Sequence, residues 1–262
     1  MEIQEFINQS DDPIKQLKKM RIKIKSFKDL LILSLPYNFT FETELLMRVR
    51  GIVIDKNTHK IVCLPPRKSV LVNDVKDLEI EDSEEIEYEE LIDGTMINLF
   101  YHNEWLISTR TEIGGYNKWS DKKSFRKMFD EACDFDMNEL SKDYSYSFVL
   151  RHKDNRNVSP ITENKLYLVE MYHIKNNLKR VERKDFPEIL NQVEYVTDQE
   201  KMLELNDNSQ FIKGYTIKRS DKDVRYKIQN KNYEKIKNIK TDMNNDFLIY
   251  LELRKNGNIK EY

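Results

Sequence analysis

Short β-rich runs separated by turn signals recur along this chain of 262 residues and constrain its fold more than any other feature. Two pairs of runs flank short polar segments and predict hairpins, at 50–55 with 60–64 and at 95–101 with 105–110. Five further runs have strand-like composition, at 144–150, 166–174, 211–218, 224–229 and 247–253. Because hairpins join neighbouring strands antiparallel, the pattern predicts an α+β fold built mainly on antiparallel sheets.

Helical periodicity is clearest after the second predicted hairpin. Ser120 is the predicted cap of an amphipathic helix whose apolar residues recur at i, i+3, i+4 and i+7, namely Phe125, Met128, Phe129 and Ala132. Shorter helices are predicted after the capping box at 197–200 and over 233–240. These helices flank the predicted sheets.

Composition excludes several classes of protein. Hydrophobic residues make up 39% of the chain, which is enough for a buried core and excludes global disorder. No apolar run approaches the roughly 18 residues of a membrane span, so we expect no membrane partner. Two cysteines, Cys63 and Cys133, cannot form a disulfide framework or a four-ligand zinc site. They are typical of a reducing compartment, and we expect a cytoplasmic protein.

The first 45 residues differ in pattern from the rest of the chain. They combine a stretch rich in lysine and arginine, at 15–28, with a short apolar run at 30–35. No internal repeat or low-complexity linker divides the remainder. We therefore interpret residues 1–45 as a peripheral N-terminal segment and residues 46–262 as one domain.

Charge is strongly uneven although the formal net charge is only −2. Residues 74–90 hold ten acidic residues and one lysine, a block that we expect to be a solvated face. Residues 213–240 hold ten basic and three acidic residues, interleaved with Tyr215, Tyr226 and Tyr233. Basic residues that bind phosphates and rings that stack on bases are typical of nucleotide and nucleic-acid sites.

Glycines lie beside charged residues at the edges of predicted strands, in Arg50-Gly51, Asp93-Gly94 and Lys213-Gly214. Between and after them come Thr109-Arg110, Asn155-Arg156 and Arg225-Tyr226-Lys227. This ordered set resembles the covalent nucleotidyltransferase superfamily of ligases and capping enzymes, within it the phage-type RNA ligases, and in particular divergent ligase-like proteins of large DNA viruses. The resemblance covers roughly residues 12–262 and implies the ATP-grasp-like adenylation fold of those ligases.

The resemblance also implies a mechanism from which this chain departs. In the family, a lysine two residues before Asp-Gly attacks the α-phosphate of ATP, but here that position is Leu91. The glutamates on the central strand and before the second glycine align with Val149 and Lys213. In the Lys-x-Lys motif, Lys227 remains and Gln229 replaces the second lysine. The catalytic motifs are therefore degenerate, and we expect no residue that forms a covalent intermediate and no metal ligand.

A phosphate-binding half of the family's pocket remains in the sequence. Asn155 and Arg156 are compatible with the family pattern, although an Asn/Arg pair more often holds a loop. The predicted nucleotide- or phosphate-binding residues are Arg50, Asp93, Gly94, Arg110, Lys213, Lys218, Arg225 and Lys227. Loss of carboxylates makes the predicted site more positive and suits a phosphate bound without Mg²⁺.

Three hypotheses about function follow. The first is a non-catalytic module that binds a nucleotide such as ATP, or an RNA end, or that assembles with a protein partner in a larger complex. The second is an active ATP-dependent RNA ligase that uses Mg²⁺ and a displaced nucleophile. The third is a purely structural viral protein of the host cytoplasm or the virion, in which the basic residues form a solvated face.

Overall fold

A computed structural model describes residues 3–36, 43–75, 78, 86–118, 123–155, 157–209, 211–219, 223–239 and 246–260. Its strands, in chain order, are β1 Lys23–Phe27, β2 Leu30–Ser34, β3 Ile52–Asp55, β4 Ile61–Cys63, β5 Val70–Leu71, β6 Ile86–Glu90, β7 Thr95–His102, β8 Glu104–Ser108, β9 Tyr144–Arg151, β10 Lys165–His173, β11 Lys179–Arg180, β12 Tyr195–Val196, β13 Gly214–Arg219 and β14 Arg225–Gln229. Its helices are α1 Ile3–Asn8, α2 Pro13–Lys19, α3 Glu44–Arg48, α4 Phe125–Ala132, α5 Gln199–Asn208, α6 Lys231–Ile239 and α7 Asp246–Lys255.

Three sheets organise the chain, and nearly all their strand pairs are antiparallel. The first has the order β1-β2-β3-β4, the central sheet β11-β10-β9-β7-β8, and the third β12-β6-β13-β14-β5. Only β14 and β5 pair in parallel among the described strands. The predicted α+β class with antiparallel sheets is confirmed.

The N-terminal segment belongs to the first sheet instead of lying apart from it. Strand β2 pairs with β3 along the register Leu30↔Asp55 to Leu33↔Ile52. Leu17 of α2 and Ile3 of α1 are buried in the same core cluster as Ile52. The boundary that we predicted between residues 45 and 46 lies within α3, which connects these two paired strands and packs in the same core.

The central sheet has two chemically different faces because side chains alternate along each strand. On β9, Phe148 and Leu150 pack in the core with α4, whereas Val149 lies in a separate small cluster with Ile92. The predicted helix at 125–132 is confirmed, with Ser124 as its cap. The predicted cap, Ser120, lies outside the described residues.

The third sheet is also two-faced. Tyr215 and Ile217 of β13 are buried beside Met202 of α5, in an apolar cluster on one face. The alternate residues of β6, β13 and β14 form the other face, and they are mainly charged or small. This charged face is directed toward the central sheet, because Lys218 of β13 reaches the carbonyl oxygen of Val169 on β10, at 2.6 Å.

One predicted strand is wrong. Residues 247–253 lie in helix α7, not in a strand. Ile249 and Leu253, four residues apart, are its buried side chains, which is the spacing of one helical face. None of the described helices has the length and apolar character that a membrane crossing requires.

Candidate anion-binding site

A cavity of about 260 Å³ opens on the charged face of the third sheet. It is lined by residues that flank β6 and β13, by one face of β14, by Met96 of β7 and Val149 of β9, and by the loops that follow α3, β4 and β8. Seven lining residues are cationic, namely Arg50, Arg67, Lys68, Arg110, Lys213, Arg225 and Lys227. The remaining lining residues are Pro65, Pro66, Ser69, Leu91, Ile92, Gly94, Met96 and Val149.

Strand alternation explains why β14 contributes two cations to this cavity. Tyr226 and Ile228 are directed into the apolar cluster on the far face of the sheet, so Arg225 and Lys227 must lie on the near face. Lys227 pairs in register with Thr216 of β13, and Arg225 pairs with Lys218. The Arg-Tyr-Lys sequence is therefore a two-faced strand whose odd-numbered residues face the cavity.

Leu91 lies at the position where the family resemblance implies the nucleophilic lysine. It directly follows β6, and its backbone N–H donates to the carbonyl oxygen of Gly214 at 2.8 Å. Gly214 has φ of +140°, and a Cβ there would lie 2.1 Å from the carbonyl oxygen of Ile228. Glycine thus lets β13 pack against β14 beside the cavity, and an apolar side chain lines the wall.

Three of the four arginines that line the cavity lie close enough for their charges to repel one another. Burial, together with the nearby charges of Arg110 and Arg225, lowers the pKa of Arg50 to about 10. The Nε atoms of Arg110 and Arg225 are buried and have no hydrogen-bond partner within the described chain. Arg225 has Glu170 as an ion-pair partner at 3.7 Å, whereas no carboxylate partner is found for the half-buried Arg110 within the described chain, so its charge favours binding of an anion.

Two lysines reinforce this excess of positive charge. Burial lowers the pKa of Lys227, and so do Lys213 and other neighbouring cations. Burial also lowers the pKa of Lys68, together with the charges of Arg50 and Arg110. Such shifts report burial of the ammonium groups together with repulsion among neighbouring like charges.

Asp93 has a different position from the one that we predicted. Its carboxylate does not line the cavity but lies next to it, where Oδ2 accepts hydrogen bonds from the backbone N–H groups of Val158 and Ser159, at 2.7 and 3.1 Å. Its Oδ1 lies 3.6 Å from Nζ of Lys213. Asp93 therefore positions Lys213 and holds the loop that follows β9.

Gly94 and Asn155 also serve the packing of this region. A Cβ on Gly94 would lie 2.5 Å from the carbonyl oxygen of Leu150, so only glycine allows β7 to begin so close to β9. The side-chain amide of Asn155 donates to Oγ1 of Thr95 at 3.0 Å, which ties the loop to β7. Arg156 lies outside the described residues.

Lys218 is not brought to the cavity with the other predicted residues. Its ammonium group is buried, 2.5 Å from Glu89 of β6 and 3.6 Å from Glu170 of β10. Arg180 also pairs with Glu170, at 2.9 Å. Buried between two carboxylates, Lys218 joins the third sheet to the central one and is not available to a ligand. Glu89 belongs to the acidic block at 74–90, which we expected to be a solvated face, and its burial contradicts that expectation.

Two cavity residues, Arg67 and Lys68, are not among those predicted from the sequence. They follow Pro65-Pro66 directly after β4, and a pair of bases after a rigid diproline is the signal that could have found them. Arg67 forms an ion pair with Glu44 and donates to the carbonyl oxygen of Asp223. The remaining wall of the cavity is therefore made by residues outside the family motifs.

The residues of this cavity do not fit a divalent metal ion. Magnesium is held by carboxylates and by substrate phosphates. Within the described chain, no carboxylate lines the cavity, and the glutamate positions that the resemblance assigns are Val149 and Lys213. Seven cations would repel Mg²⁺ from the same space.

A larger cavity, of about 800 Å³, lies elsewhere, between α1, the β3–β4 loop and the ends of β7 and β10. Its lysines Lys60, Lys142 and Lys175 are exposed, and Lys175 already pairs with Asp143. None of the buried side-chain atoms without partners in the described chain belongs to its lining. Unsatisfied buried charge therefore favours the smaller cavity as the functional site.

Comparisons with solved structures agree with the fold that the motif order implies. The chain superposes on an archaeal ATP-dependent RNA ligase with a TM-score of 0.63 and 12% identity, over 88% of this chain and 65% of that one. It superposes on a protein of Aquifex aeolicus assigned as an ATP-dependent DNA ligase with a TM-score of 0.61 and 17% identity, over 87% of this chain and 64% of that one.

The likeness to these ligases is one of fold. The chain spans less than two thirds of the length of either solved protein. No protein-family model matches the chain, and no curated protein sequence matches it. The fold is similar to that of these ATP-dependent ligases, and the chemistry of the cavity must be argued from its own residues.

Proposed function

We propose that this protein binds the phosphate groups of a nucleotide or an RNA end in the cationic cavity, without forming a covalent intermediate. The single observation that carries the proposal is Leu91 in the wall of a cavity lined by seven cations. An alkyl side chain has no lone pair and cannot form a phosphoramidate, whereas guanidinium groups bind phosphate oxygens through strong, paired hydrogen bonds.

The proposal also includes the finer expectations of the sequence. Assembly with a protein partner, a viral origin and a cytoplasmic location rest on the family resemblance and on composition. The binding claim has the support of Arg50, Arg110 and Lys227, for which no carboxylate partner is found within the described chain.

A second candidate is an active ligase with a displaced nucleophile, and one observation favours it. Lys213, Lys227 and Lys68 line the same cavity as Leu91, and the lowered pKa of Lys227 favours its reactive neutral form. In that case Nζ would attack the α-phosphorus of ATP, an N–P bond would form, pyrophosphate would leave and the lysine proton would pass to solvent.

Intact-protein mass spectrometry separates the two candidates. The wild-type protein is incubated with ATP or GTP and Mg²⁺ or Mn²⁺, beside Leu91→Lys and a control, Leu205→Lys, on an exposed part of α5. We expect no nucleotide adduct on the wild type or on the control. An adduct on Leu91→Lys alone would support a phosphate-binding cavity that has lost only its nucleophile.

A nucleotide adduct on the wild type would overturn the proposal and establish the ligase alternative. The modified residue would then be located by peptide mapping, with Lys227→Arg and Lys213→Arg as the variants that should abolish the adduct. If no variant forms an adduct, binding to the wild-type protein decides the proposal, and the absence of binding to both a nucleotide and a 5′-phosphorylated RNA would contradict it.

A further inference from the structure

We infer that the ligand of this cavity is an oligophosphate terminus of two or three linked phosphates, held without a divalent cation and without recognition of a base. The inference rests on the proposed function and names its substrate class. A nucleoside triphosphate and the 5′ end of a triphosphorylated RNA share this chemistry.

Uncompensated charge indicates how much negative charge the ligand must carry. Arg67, Lys213 and Arg225 have carboxylates within ion-pair distance, namely Glu44, Asp93 and Glu170. For three further cations of the lining, Arg50, Arg110 and Lys227, no carboxylate partner is found within the described chain. A bound anion would therefore neutralise at least three positive charges.

A single phosphate monoester does not match this charge. It carries about −1.5 to −2 at neutral pH, whereas a chain of two or three phosphates carries more and extends over several cations. Arg50 and Arg110 approach the cavity from the loops after α3 and β8, and Lys227 approaches from β14. Cations on separate elements suit a ligand with several anionic groups.

The size and lining of the cavity argue against recognition of a base. Its volume of about 260 Å³ lies below the range of roughly 300–1,000 Å³ that is usual for whole small-molecule ligands. Ser69 is the single uncharged polar side chain among the described lining residues. Reading a base edge requires several placed donors and acceptors, so the nucleoside must lie outside the cavity.

The same lining makes the binding independent of metal. In other oligophosphate sites a Mg²⁺ ion bridges phosphates to protein carboxylates. Here the cationic side chains of the wall would neutralise the phosphates in place of Mg²⁺. An added divalent ion therefore competes with these side chains for the phosphate oxygens. We therefore expect chelation of divalent ions to leave affinity unchanged or to increase it.

Isothermal titration calorimetry with inorganic tripolyphosphate, in the presence of EDTA, tests the inference directly. Pyrophosphate, orthophosphate, ATP, GTP and a short RNA with a 5′-triphosphate are titrated in parallel. We expect tripolyphosphate to bind in EDTA, orthophosphate to bind at least about tenfold more weakly, and ATP and GTP to differ by less than about threefold.

Variants at the cavity provide the matched controls. Arg110→Gln and Arg50→Gln should each weaken tripolyphosphate binding by about tenfold or more, because charge-assisted hydrogen bonds are lost. Lys127→Gln removes the same charge from the exposed side of α4, on the opposite face of the central sheet, and should leave the affinity unchanged. Thermal unfolding confirms that each variant is folded.

Each outcome decides between the claims. Binding of ATP that requires Mg²⁺, or a strong preference for one base, would overturn this inference and leave the proposed function intact. An RNA end that binds while free triphosphates do not would likewise contradict base-independent capture of the phosphates. If none of the ligands binds, the proposed function fails together with the inference.

Discussion

Lys227 illustrates how an ordinary residue acquires unusual behaviour from its neighbours. Burial lowers its pKa, and the charges of Lys213, Lys237, Arg50 and Lys68 lower it further. A lysine in this state is partly neutral at a pH where exposed lysines are still charged. An anion bound beside it reverses the shift, because it favours the charged form.

Phosphate binding should therefore take up protons at alkaline pH. Below the lowered pKa values of Lys68 and Lys227 the empty cavity is already fully charged, and binding moves no proton. As the pH rises through those values the empty cavity loses protons that the complex retains, so affinity falls. Calorimetry of tripolyphosphate binding in two buffers of different ionisation enthalpy measures the proton uptake directly.

Lys227→Arg is the variant that tests the assignment of this proton. Arginine keeps its charge to higher pH, so the variant should bind at neutral pH and show less proton uptake at alkaline pH. Lys127→Arg, on the exposed side of α4, should leave the uptake as it is in the wild type. Identical uptake in Lys227→Arg and wild type would exclude Lys227 as the titrating group.

At the scale of elements, the cavity depends on how closely β7 begins against β9. Gly94 precedes β7 at a point where a Cβ would meet both the carbonyl oxygen of Leu150 and the side chain of Val149, at 2.5 and 2.6 Å. Val149 is itself a wall of the cavity. The contact is with backbone in a paired strand, which cannot move aside cheaply.

Gly94→Ala should thus destabilise the fold by about 1–3 kcal/mol and weaken phosphate binding in the molecules that remain folded. Chemical denaturation measures the first effect and calorimetry the second. Gly257→Ala is the control, because its φ of +75° carries conformational strain while no atom lies within 4 Å of the added Cβ. Equal binding by the two variants would contradict the role given to the contact at Gly94.

The sequence predicts elements well where period and turn signals agree. The hairpins and the helix at 125–132 have clear periodicity and are confirmed by β3–β4, β7–β8 and α4. The strand predicted at 247–253 is wrong because the five consecutive apolar residues at 247–251 have no period that separates strand from helix. Only the burial of Ile249 and Leu253 on one side distinguishes a helix from a strand here, and burial is a property of the tertiary structure.

At the scale of the whole molecule, a buried ionic network joins the third sheet to the central one. Burial alone would raise the pKa of Glu170, but Lys218, Arg180 and Arg225 outweigh it and lower that pKa to about 2. The ionised carboxylate therefore stabilises the fold at neutral pH, and this contribution is lost as pH falls from about 4.5 through about 2. Arg225 connects the network to the cavity.

Glu170→Gln should lower the free energy of unfolding by about 3–5 kcal/mol at neutral pH, because it leaves buried cations without their counter-charge. Urea denaturation measures the loss, which should shrink toward pH 2, where the wild-type carboxylate is also neutral. Glu163→Gln removes an exposed carboxylate 3.7 Å from Lys165 and should cost less than about 1 kcal/mol. A comparable loss in both variants would contradict the network.

The order of the motifs predicts which residues lie together at one cavity better than it predicts which residues are buried elsewhere. Arg50, Arg110, Lys213, Arg225 and Lys227 all line one cavity because each is tied to a strand end, and the order of strands follows from the fold. The sequence gives no sign that Lys218 is buried, since its partner Glu170 is 48 residues away on another sheet. Pairing across sheets is a tertiary property, and it keeps the ammonium group of Lys218 away from the cavity.

The central claim is that the cavity holds phosphates without attaching them. It is tested most directly by incubating the protein with ATP labelled at the α-phosphate and counting retained label before and after denaturation. We predict label on the native protein, with or without EDTA, and none after denaturation. Label that survives denaturation, or no label on the native protein, would contradict the account.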